Sequence, residues 1–139
     1  MASTEPGRPQ TVAAAIEAIE GAYELTLAYA AQGRKSEEQD PLGVRQALRR
    51  ADAALDVLAA ATPADVGAPG GAAALATTDM LTVLKQDIAK ARAAIRFVLA
   101  QRAIGSQIID NLNASIHIRT LLTDIFLLDE AFEKVNSAQ

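Results

Sequence analysis

The sequence predicts an all-α fold, an up-and-down four-helix bundle, on three observations. Apolar residues recur in alternating steps of three and four, the spacing that holds one stripe of a helix against a neighbour. Alanine, the strongest helix former, supplies 31 of the 139 residues. Start and stop signals such as Gly33, Asp40-Pro41 and Pro63 separate the periodic stretches.

Residues 1–8, with Pro6 and Gly7, read as a disordered N-terminal lead-in. Residues 9–139 then form a single helical-bundle domain of ordinary size. Pro9 suits the first turn of a helix, where a missing N–H is no loss. The first helix is therefore expected over 9–32, with a seam of Val12, Ile16, Ile19, Tyr23, Thr26 and Ala30 beside an acidic ridge of Glu17, Glu20 and Glu24. Asp40 as N-cap and Pro41 at the first helical position start a second helix over 41–61. Its seam is Val44, Leu48, Ala51, Leu55 and Leu58. The short charged loop 33–40 makes these two an antiparallel hairpin, with Glu24 near Arg49.

Residues 62–76, rich in Gly and Pro and carrying one charge, read as a flexible linker. They lack the spacing and the lysine of a phosphate-binding loop. The longest periodic run follows. Leu81, Leu84, Ile88, Ala91, Ile95 and Val98 form one seam, which counts on through Arg102, Gly105, Ile109, Leu112 and Ile116. A second seam then takes over at Ile118, Leu121, Ile125, Leu128, Phe132 and Val135. A turn near 103–106 gives helices over 78–103 and 106–136. The alternative, one kinked long helix with coiled-coil character, would measure on the order of 90 Å and require oligomerisation.

Charge and composition exclude several classes. A net charge of −4 disfavours nucleic acid and anionic membrane surfaces as partners. Without cysteine there is no disulfide framework, thiolate metal site or cysteine nucleophile. MASTEPGRPQ has no apolar core of a secretory signal, and no run approaches the ~20 apolar residues of a membrane span. The expectation is a cytoplasmic protein without membrane insertion. Lys85, Arg92 and Arg96 make a basic ridge, expected to answer Glu17, Glu20 and Glu24 or the acidic end Asp129, Glu130 and Glu133.

Catalytic and metal chemistry find little support. One histidine, with no Glu three residues before it, does not make a di-iron bundle site. Zinc would have His117 and carboxylates alone, so no metal or cofactor is expected. A triad of His117 with Ser106 or Ser115 and Asp110 or Asp124 lacks a nucleophile elbow, and Asp124 lies about 10 Å along the helix from His117. The chain is not expected to be an enzyme. Asp110, Asn111, His117 and Arg119 form a candidate polar site, with Asn113 beside them; Asn111, seven before Ile118, stands where an asparagine can fix register.

From Ser115 to Ile125 the chain resembles the histidine box of sensor-kinase dimerisation helices, through Ser115, Ile118, Arg119, Thr120, Leu122, Thr123 and Ile125. It departs from that pattern where Ile116 stands at the histidine position, His117 at the acidic one and Leu121 at the usual proline. The resemblance implies a phosphotransfer-type signalling module using His117. A small apolar ligand carrier with an alanine-lined cavity is a further alternative. The leading expectation is a non-catalytic scaffold, adaptor or accessory subunit that binds itself, as a homo-oligomer, and another protein. Its interface is expected at Leu121, Leu122, Ile125, Phe126, Leu127, Leu128 and Phe132, which set apolar side chains around most of one helix.

Overall fold

The computed structural model describes Pro9 and residues 11–132. Among these, five helices and no strand occur: α1 Val12–Ala30, α2 Val44–Ala59, α3 Ala72–Leu99, α4 Ser106–Ala114 and α5 Ile116–Ala131. The all-α expectation holds, and the count of four does not. The lead-in 1–8, the helix end at 136, and Glu133 and Val135 lie outside the described residues.

The first helix starts at Val12 and not at Pro9, because Thr11 is the better cap: its hydroxyl accepts the Ala14 N–H at 3.0 Å. Asp40 does collect orphan amides, from Leu42 at 2.9 Å and Val44 at 2.7 Å. Gly43, in the left-handed region at φ 71°, nevertheless delays α2 to Val44, three residues past the expected start. α1 and α2 pack side by side, Ala22 meeting Ala47 and Ala51, small residues that let the two backbones approach closely.

The segment expected to be a flexible linker has local structure. Thr62 and Asp65 cap each other, amide to side chain in both directions, and Val66 is 1% exposed within the core. Residues 72–76 already belong to α3, since alanine carries no penalty at a helix start. α3 lies against α2 through Arg92, whose guanidinium reaches Asp52 at 3.0 Å and Asp56 at 3.1 Å, and through Arg96, 3.1 Å from Asp52. Arg92 and Arg96 of the basic ridge are thus answered by Asp52 and Asp56 of α2. Asp52 and Asp56 sit outside the apolar seam of α2, on the flank that α3 covers.

The turn expected near 103–106 is present, and its cause is a close approach. Gly105 lies where a Cβ would come within 3.0 Å of the Arg34 and Lys35 carbonyl oxygens. The Ser106 amide donates to the Arg34 carbonyl at 2.8 Å, and the Ser106 hydroxyl to the Tyr29 carbonyl at 2.7 Å. Tyr29, fully buried, donates its own hydroxyl to the Ile104 carbonyl at 2.5 Å. The turn between α3 and α4, and the start of α4, are therefore pinned to the end of α1.

A second interruption falls at Ser115, inside the expected helix 106–136. Its backbone is extended (φ −66°, ψ 147°), and its hydroxyl accepts the Ile118 N–H at 3.3 Å to cap α5. The break explains why the apolar count slips between Ile116 and Ile118. α4 packs mainly on α1 and α5 mainly on α3, so one periodic stretch serves two different neighbours.

Candidate functional site on the fifth helix

α5 divides its apolar residues between two faces. Ile118, Leu121, Leu122, Ile125 and Leu128 are buried, and Phe132 is half-buried against the same core. The expected interface is corrected accordingly: Leu121, Leu122, Ile125 and Leu128 line the core of the subunit itself, each burial contributing roughly 1.5–3 kcal/mol. Phe126 and Leu127 remain 49% and 59% exposed, and Ile116, which had been counted into the inner seam, is 70% exposed. Ile116 sits immediately after the Ser115 break, where the phase resets and turns it outward. The outer face then reads Ile116, Arg119, Thr123, Phe126 and Glu130, in steps of three and four, with Thr120 and Leu127 on one flank. That is a second helical seam, on the outside.

The candidate polar residues do not come together. Asp110 and Asn111 are exposed on α4. His117 lines a groove between α3 and α5 with Asp87, Lys90, Ile116 and Thr120, while Arg119 faces outward beside Thr123. Asn111 does not hold register, because counting seven residues back from Ile118 crosses the break. The buried asparagine is Asn113, whose side-chain oxygen accepts the Thr26 hydroxyl at 3.2 Å while its Nδ2 has no partner. Among the described residues, no group of three or more histidines and carboxylates is placed to hold a metal ion.

Asn113 borders a cavity of about 40 Å³ among Ile19, Leu48, Leu55, Leu112 and Leu121. It lies where α5 turns onto α3 and leaves α1. Ligand sites for drug-sized molecules run to roughly 300–1,000 Å³, so this space does not favour a carrier role. Asn113→Leu should raise stability by about 1 kcal/mol in urea titration, by removing an unpaired amide and filling the space. Thr26 keeps an acceptor in the Tyr23 carbonyl at 2.9 Å. A loss of stability would show that the amide has a use the cavity hides.

The inner face of α5 carries one further polar group. Asp124 is 6% exposed, and its Oδ2 has no partner. Burial pushes its carboxyl up to about 7, helped by a hydrogen bond with Asp87 of α3 and by the Asp87 charge. The two carboxyls meet across the α3–α5 contact, which favours the protonated form of Asp124. No signal in the spacing could have found this pair, because Asp87 and Asp124 meet through the fold alone.

No helix among the described residues is long and apolar enough to cross a membrane. No family model, curated protein or solved structure matches the chain.

Proposed function

We propose that the chain is a non-catalytic helical interaction module, an adaptor or accessory subunit, and that it works through the outer face of α5. The observation that carries this reading is the exposure of Ile116, Phe126 and Leu127 on a helix whose inner face is already fully used. Single exposed apolar residues are ordinary on protein surfaces; three in helical register with one another mark a place where a second helix fits. The contacts that would anchor it are an aromatic ring and two branched aliphatic side chains, which contribute by removing apolar surface from water.

A photo-crosslinking residue at Thr123, the centre of this face, is expected to give a covalent adduct in the cell that makes the protein. The same residue at Gln86, exposed on α3, is expected to give none. Phe126→Ser with Leu127→Ser should remove the Thr123 adduct while changing stability by less than about 0.5 kcal/mol per site. Absence of any adduct at Thr123 overturns the reading.

A further inference from the structure

The charges on this face are arranged for a particular occupant. Arg119 stands toward the N-terminal end of the outer seam and Glu130 toward its C-terminal end, both exposed. Between them lie Thr123 and Phe126, with Thr120 and Leu127 on the flank. A face with one cation at one end and one anion at the other is complementary to itself when reversed. We propose that the occupant is the same face of a second copy of this chain, laid antiparallel about a two-fold axis. This rests on the reading of α5 as a docking face, and it names the partner.

With the axis between Asp124 and Ile125, Arg119 and Glu130 are equally distant from it, so each Arg119 meets Glu130 of the other copy. In the same register each Phe126 lies over Thr123 of the other, a ring against a small side chain, and each Leu127 falls between Thr120 and Thr123. A parallel pairing would stack Arg119 on Arg119 and Glu130 on Glu130, which the charges oppose. A two-fold interface of one patch against itself also closes, so assembly stops at two and does not run on into a filament. α5 has 16 residues, about 24 Å of helix, less than a standard interface spans, so the dimer is expected to be weak and dependent on concentration.

The test is a charge swap read by sedimentation equilibrium on the purified chain. Wild type should associate to a dimer as concentration rises. Arg119→Glu and Glu130→Arg should each weaken the dimer by about tenfold or more, since each sets like charges opposite one another. The double variant carrying both substitutions should recover wild-type association to within about threefold, and an equimolar mixture of the two single variants should form a heterodimer. Circular dichroism on each variant checks that the helices persist. A wild type that stays monomeric, single variants that dimerise unchanged, or a double variant no better than the singles overturns the proposal. A Thr123 adduct to a different protein, with a monomeric wild type, removes the second copy as occupant and leaves the docking face standing; no adduct at all removes both.

Discussion

Replacing Arg45 with alanine should lower the stability of the chain by about 3 kcal/mol, the largest loss expected from one exposed-edge side chain. The Arg45 guanidinium donates to the Leu99 carbonyl at 2.8 Å, to the Gln101 carbonyl at 3.0 Å and to Glu37 at 2.6 Å. Leu99 is the last residue of α3, so the first of these bonds satisfies a carbonyl that the helix leaves without an amide. Glu37 in turn accepts the Ile104 N–H at 2.7 Å, fixing the turn that leads into α4. Burial alone would raise the Glu37 carboxyl, but the Ile104 and Arg45 hydrogen bonds outweigh it and hold it below its usual range. One side chain thus joins the loop after α1, the start of α2 and the end of α3. Arg45→Lys should recover little of the loss, because a single ammonium cannot span three acceptors set in a planar fork. Urea titration decides it. A loss below about 1 kcal/mol for Arg45→Ala would mean that water satisfies these carbonyls equally well.

Much of this frame is legible in the order of the residues. Val44, Leu48, Ala51, Leu55 and Leu58 are all buried, as are Leu81, Leu84, Ile88, Ala91, Ile95 and Val98, so helical periodicity located the core of α2 and α3 side chain by side chain. The slip in phase at Ile116 was a true signal of a break. It passed for a change of seam because Ser115 is neither Pro nor Gly. A serine can end one helix and cap the next, and nothing in a propensity scale separates that use from an ordinary helical serine.

What the sequence does not disclose is which neighbour each face meets. Around Leu121–Leu128 apolar side chains point in nearly every direction, so periodicity cannot say that Leu122 is inside and Phe126 outside. That division follows from α5 turning onto α3 after the break. The same holds for Arg92, whose partners on α2 become nearest only once α3 has docked there. Long-range pairing of polar residues is a property of the packed helices, not of spacing along one of them.

The Asp87–Asp124 pair gives the sharpest pH dependence. Asp124 keeps its proton in the folded state up to about pH 7 but loses it near 3.8, its ordinary value, when the chain unfolds. Between those values the folded state holds a proton that the unfolded state has released. Stability from this group is therefore fully present below about pH 4, falls as pH rises, and is lost once pH passes through 7, with a slope approaching ~1.4 kcal/mol per pH unit. Glu37 and Asp52 act in the opposite sense. Burial would raise Asp52, yet its bonds with Arg92 and Arg96 prevail and hold it low, so both groups stabilise above the ordinary carboxylate range and lose that contribution as pH falls below it. The stability maximum is expected well on the acid side of neutrality, near pH 4, where the two limbs meet. Asp124→Asn should abolish the decline above that maximum and leave the acid limb intact. The amide can still donate to Asp87, and no charge develops between α3 and α5. At pH 8 the variant should exceed wild type by roughly 4 kcal/mol, the loss summed over the interval from 3.8 to about 7, and near pH 4 the two should converge. His117 and Lys90 line the groove beside Asp87, so His117→Gln serves as the control and should leave the decline in place. Urea titrations at pH 5, 6.5 and 8 test this directly. If wild type and Asp124→Asn run parallel across that range, the carboxyl pair is already ionised at neutral pH, and the α3–α5 contact tolerates two like charges.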